Sequence, residues 1–90
     1  MADEFDEFAD AMRQKFKAKL AEGGRAIEPW KAYSLIWLGS RFYDEVREME
    51  AKKIGTEEMA GELVDIAEFC MFMWKKIMSE KRGGATNDEK

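Results

Sequence analysis

Residues 42–49 read Phe42-Tyr43-Asp44-Glu45-Val46-Arg47-Glu48-Met49, and residues 62–69 read Glu62-Leu63-Val64-Asp65-Ile66-Ala67-Glu68-Phe69. Each stretch holds an acid-x-x-acid pair, and residues three apart share one face of an α-helix. Gly55 lies midway between them: Glu48 is seven residues before it and Glu62 seven after, Glu45 ten before and Asp65 ten after. An antiparallel helical hairpin about that glycine sets each pair at one height, with the Glu48–Glu62 level roughly 10 Å from the turn at ~1.5 Å per residue. At ~100° per residue, Glu45 and Glu48 fall about 60° and 120° off the centre of their helix's apolar stripe. Glu62 and Asp65 fall about 60° and 120° off theirs, in the same rotational sense. The local two-fold of the hairpin then gathers four carboxylates on one patch beside the core.

The flanking sequence supports helices on both sides of that turn. Pro29 is the only proline, and glycines punctuate the chain mainly at 23–24, 55 and 83–84. A first helix is expected from about Asp3, its N-cap, to Glu22, stopped by Gly23-Gly24, with Phe5, Phe8, Met12, Phe16 and Leu20 as its apolar stripe. A second is expected from Pro29 or Trp30 to about Lys53, striped by Leu35, Leu38, Phe42, Val46 and Met49. Gly39 inside it marks a kink or a close helix approach. The third is expected from a Thr56 cap to about Arg82, with Met59, Leu63, Ile66, Cys70, Met73 and Ile77 in its stripe. The expected fold is all-α: a small bundle of three main helices, with room for a fourth short one. It forms a single domain over residues 1–82, followed by a small polar tail at 83–90 that is expected to be disordered.

Composition bounds the function. Fifteen Lys and Arg against nineteen Asp and Glu give a net charge of -4, with a pI of about 4.9, which argues against gripping nucleic acid. No run approaches the ~18 apolar residues of a membrane span. The acidic start, Met-Ala-Asp-Glu-Phe-Asp-Glu, is unlike a secretory signal, and the lone Cys70 forms no internal disulfide, so a reducing cytoplasm is the expected location. There is no histidine. Its absence removes Ser-His-Asp and Cys-His catalysis, His-ligated zinc and the Glu-x-x-His di-iron bundle. From Ile66 to Trp74 the only charge is Glu68, so the third helix is apolar nearly all round, more than a short three-helix chain can enclose. A partner subunit is the expected cover, as a homodimer or homotetramer. Cys70, on that stripe, is expected to be a buried thiol.

Four acids on one patch repel unless a cation sits among them. Oxygen-only donors suit Mg²⁺, or Mn²⁺, and leave coordination positions for phosphate and water. Their ordinary role as solvated carboxylates is the competing interpretation.

Glu45-Val46-Arg47-Glu48, thirteen intervening residues and Glu62-Leu63-Val64-Asp65 resemble the signature of the MazG-like all-α nucleoside triphosphate pyrophosphohydrolases. In that family Glu-x-x-Glu and Glu-x-x-Asp hold Mg²⁺. Residues 42–49 and the run Glu62-Leu-Val-Asp-Ile-Ala-Glu-Phe-Cys-Met-Phe-Met resemble its small phage and bacterial single-domain branch, and the likeness covers roughly residues 5–78. It implies hydrolysis of a (deoxy)nucleoside triphosphate to the monophosphate and pyrophosphate, a housekeeping hydrolase activity on the nucleotide pool. Glu45, Glu48, Glu62 and Asp65 are the implied metal-binding and catalytic residues. Two positions depart from that branch, Glu68, where Asn is frequent, and the loop at 23–29. Both fall where nucleotide contacts are expected.

Trp30 and Phe69 are candidate substrate contacts for a base or sugar, and Arg41 and Lys53 for the phosphates; Trp37 and Trp74 are better read as packing. The rival interpretation is a non-catalytic helical oligomerisation or adaptor module that keeps the MazG-like shape. A third is a metal-stabilised bundle without turnover.

Overall fold

The computed structural model describes residues 3–24 and 26–83. Among them lie four helices and no strand: α1 (Glu4–Ala21), α2 (Pro29–Ala32), α3 (Leu35–Glu50) and α4 (Glu57–Gly83). The tail expected to be disordered lies, beyond Gly83, outside the described residues. No helix among those described is long and apolar enough to cross a membrane.

The helix ends follow from particular residues. Asp3 caps α1, its carboxylate accepting from the Asp6 amide at 2.9 Å, and Glu4, Asp6 and Glu7 occupy the positive first turn. At the other end the Gly24 amide donates to the Lys19 carbonyl at 2.9 Å and the Gly23 amide to that of Leu20 at 3.0 Å. This is a Schellman closure, and Gly23 takes the left-handed φ of 77° that it requires. The hairpin turn closes through Gly55, at φ 83°, and through Thr56, whose hydroxyl donates to the Lys53 carbonyl at 2.6 Å and accepts from the Met59 amide at 3.3 Å.

The expected continuous second helix is two helices. Tyr33 and Ser34 are extended, and the Ser34 hydroxyl accepts from the Trp37 amide at 3.0 Å, starting α3 afresh. A serine so placed offers the backbone a better bond outside a helix than within one. α3 also stops at Glu50, short of Lys53. Gly39 lies within unbroken α3, and a Cβ added there would meet nothing within 4 Å. Neither a helix break nor a close approach accounts for that glycine.

α4 is the hub, packed against α3 most extensively and also against α1 and α2. Leu38, Phe69 and Phe72 form the buried core, with Phe16, Tyr33, Phe42 and Met73 partly buried around it. The rings of Phe16 and Phe69 lie 5.8 and 5.7 Å from that of Phe72. The inward face of α4 is therefore the one carrying Asp65, Glu68, Phe69 and Phe72, all buried. The expected stripe is rotated away from it: Leu63 and Ile77 are exposed, and so is Cys70, which is no buried thiol in this single chain. On α1, Phe5 and Phe8 are exposed as well. Because α4 is apolar on nearly every side, hydrophobicity did not select its inward face; the phenylalanines did, through ring packing against α1 and α3.

Leu38→Ala should cost about 2–5 kcal/mol as a cavity opens in this small core. Ser34→Ala should cost about 1 kcal/mol through loss of the cap. Urea unfolding followed by circular dichroism measures both, and equal small losses would contradict the assigned core.

Candidate metal centre on the α3–α4 seam

The hairpin brings three of the four acids together. One carboxylate oxygen each from Glu45, Glu48 and Glu62 can be chosen so that all three lie within 4.8 Å of one another. The seven-before, seven-after spacing about Gly55 produces this meeting of Glu48 and Glu62 across the seam. Two of the acids lie deeper than the expected patch beside the core, whereas Glu48 is exposed and Glu62 half-buried at its edge. Glu45 and Asp65 are each only 6% exposed.

Each acid has a different electrostatic setting. Glu45 accepts from the Arg41 guanidinium at 2.9 Å, which also reaches Asp44 at 3.1 Å and lies 5.7 Å from the centre of the Phe69 ring. Burial raises the Glu45 pKa above its ordinary value; the nearby charges of Glu48, Asp65 and Glu62 raise it further, and Arg41 offsets part of that rise. Glu62 turns Oε2 towards Lys52 Nζ at 3.9 Å, while its Oε1 is buried without a hydrogen-bond partner. Asp65 stands outside the close trio. Its Oδ2 accepts from Lys15 Nζ at 3.0 Å, and its Oδ1 is also buried without a partner.

The other candidate residues are spread around this seam. Arg41 is engaged by Asp44 and Glu45. The Lys53 side chain is exposed, and it is Lys52 that leans on the cluster. Phe69 is 2% exposed, a member of the core. Trp30 lines a cavity of about 260 Å³ with Phe16, Ile27, Pro29, Met71, Phe72, Trp74 and Lys75. Lys31 and Lys75 each hold their ammonium 5.2 Å from the centre of its ring, and Lys76 donates to its carbonyl at 3.3 Å. Trp37 stacks on Tyr33 at 4.0 Å between centroids. Glu68 is fully buried. Sequence reasoning did not find Lys15, which comes from α1, 50 residues before Asp65.

The cluster fits a hard divalent cation. Its donors are all oxygens, and two of its buried carboxylate oxygens, Glu62 Oε1 and Asp65 Oδ1, have no protein donor to satisfy them.

An uncharacterized protein of Archaeoglobus fulgidus is 31% identical to the chain over 74 residues, which span 80% of this chain and 80% of that protein. No protein-family model matches the chain, and no solved structure matches it.

The raised Glu45 pKa fixes the sign of a pH effect. The folded chain holds that proton more tightly than the unfolded one, so stability falls as pH rises from the ordinary value of 4.5 through the raised one. With a chelator present, Glu45→Gln should raise the melting temperature at pH 7.5. At pH 4 the gain should vanish. Thermal melts at the two pH values measure it, and a variant no more stable than wild type at pH 7.5 would contradict the crowding of these acids.

Proposed function

This chain belongs to the family of that archaeal protein, and we propose that it is a Mg²⁺-dependent nucleoside triphosphate pyrophosphohydrolase of MazG-like type. One observation carries the reading: Glu45, Glu48 and Glu62 converge within 4.8 Å, beside buried carboxylate oxygens of Glu62 and Asp65 that have no donor.

Glu45, Glu48 and Glu62 would hold the ion, with Asp65 contributing through Oδ1. A bound Mg²⁺ would neutralise charge on the phosphates and lower the pKa of an attacking water. The chain's own residues supply the rest. Lys52, beside Glu62, and Lys53, next to it where the hairpin turns, offer ammonium groups to phosphate oxygens. Arg41 orients Glu45 and Asp44 through its two ion pairs. Asp44, or one of the four acids not engaged by the cation, accepts the proton of the water. The Trp30 cavity is apolar and suits a base. Phe72 on its wall follows Asp65 by seven residues of α4, about 10 Å along the same face, within reach of one nucleoside triphosphate.

The exposed Leu63, Met71, Trp74 and Ile77 of α4 support assembly as a homodimer or homotetramer, because such residues set together on one helix are unusual on a monomer's surface. A non-catalytic helical oligomerisation or adaptor module is the second reading. The ion pairs of Arg41 and Lys15 favour it, since they offset two of the four acid charges with no metal.

Purified protein given a panel of (deoxy)nucleoside triphosphates and Mg²⁺ should release pyrophosphate, and Glu48→Ala should lower the rate by a factor of roughly 100 or more. Release no greater than that of the Glu48→Ala variant would favour the adaptor. In light scattering the protein should run at a multiple of 10.4 kDa; a stable monomer would contradict the assembly.

A further inference from the structure

Among the described residues, Lys15 is the side chain of α1 that bonds to the acid cluster. Lys15, one-third exposed, donates to the Gly61 carbonyl at 2.7 Å and to Asp65 Oδ2 at 3.0 Å. The two acceptors are four residues apart on α4, so the ammonium lies over one turn of that helix. Gly61 leaves room for it: a Cβ built there would stand 3.2 Å from Lys15 Nζ, so the ammonium would have to give by a few tenths of an ångström.

The result is a carboxylate with two unlike oxygens. Oδ2 is held by an ammonium that is itself anchored to a backbone carbonyl, and Oδ1 is buried with no hydrogen-bond partner. With Asp65 only 6% exposed, turning the carboxylate would break a charge-assisted bond with little water to replace it.

We propose that Lys15 is a positioning residue of the divalent-cation site: by claiming Oδ2 it fixes the Asp65 carboxylate, so that Oδ1 is the oxygen offered to a cation held by Glu45, Glu48 and Glu62. This rests on the metal reading given above, and Lys15 acts wholly through Asp65. A metal ligand's outer partner contributes about 10–100-fold to affinity. A mere counter-charge does the reverse, since removing a positive group beside a cation site strengthens binding by Coulomb attraction. The two roles differ in sign.

Mn²⁺ binding to the full chain, followed by electron paramagnetic resonance without any nucleotide, separates them. Lys15→Met keeps the stem that packs on α4 and should weaken Mn²⁺ binding by about 10–100-fold. Gly61→Ala keeps the charge and shifts it by only a few tenths of an ångström, so it should weaken binding less than Lys15→Met does. In an Asp65→Asn background, Lys15→Met should cause no further loss, because no carboxylate remains for it to position. Binding by Lys15→Met as tight as wild type or tighter would overturn the proposal, as would an undiminished loss in the Asp65→Asn background. If Lys15→Met does not fold, as judged by circular dichroism, Lys15→Gln decides, and unchanged affinity in that variant refutes the proposal. A wild-type chain that binds no Mn²⁺ overturns the metal reading and this proposal together, whereas a binding wild type with indifferent variants overturns this proposal alone.

Discussion

Glu45 of α3 and Asp65 of α4 are each only 6% exposed, and the charges of Glu48, Asp65 and Glu62 all act on Glu45. Like charges this close, with two of the four side chains buried, repel more strongly than they would at the surface. Three responses are visible in the fold. Arg41 and Lys15 pair with Glu45 and Asp65, the two most buried of these four acids, and Lys52 leans on a third. Glu45 holds its proton to higher pH than an ordinary glutamate. Two carboxylate oxygens are left with no donor at all. A seam whose sole purpose was stability would be better filled with apolar side chains, so the arrangement favours a ligand of positive charge.

The same helix carries that seam to an aromatic chamber. Asp65, Phe69 and Phe72 follow one inward face of α4. Phe72 forms both the core, with Phe69, and the wall of the cavity that holds Trp30. α1 serves both ends: Lys15 ties down Asp65, and Phe16, the next residue, packs its ring on Phe72. The small core is thus the spacer between a charged end and an apolar end. That spacing suits a ligand with a polyanionic head and a planar apolar part, and it ties the packing of three phenylalanines to the proposed chemistry.

Much of this was legible in the chain. Local signals with a single physical outcome read correctly: Asp3 as a cap, Gly23-Gly24 as a stop, Thr56 and Gly55 at the turn. The meeting of Glu48 with Glu62 followed from counting outward from that glycine. Ser34 was missed because a serine amid helical periodicity is ambiguous until its hydroxyl is seen to take the Trp37 amide. The inward face of α4 was misjudged because apolar residues surround the helix, leaving periodicity nothing to select. Lys15 was invisible for another reason. Its partners are 46 and 50 residues away, and the only trace in the sequence is a glycine four residues before Asp65 whose purpose appears once α1 is in place. Lys52 and Lys53 are neighbours in the chain, and only the geometry of the turn distinguishes them.

Paramagnetic broadening by substoichiometric Mn²⁺ in the amide spectrum of this 90-residue chain tests the shared cation site most directly. A single site on the seam should erase the signals of residues near Glu45, Glu48, Glu62 and Asp65 first, and leave the acidic start of α1 at Glu4, Asp6 and Glu7 sharp. Broadening spread evenly over those exposed acids and over Glu57 and Glu58 would mean that the four seam carboxylates hold no ion in common.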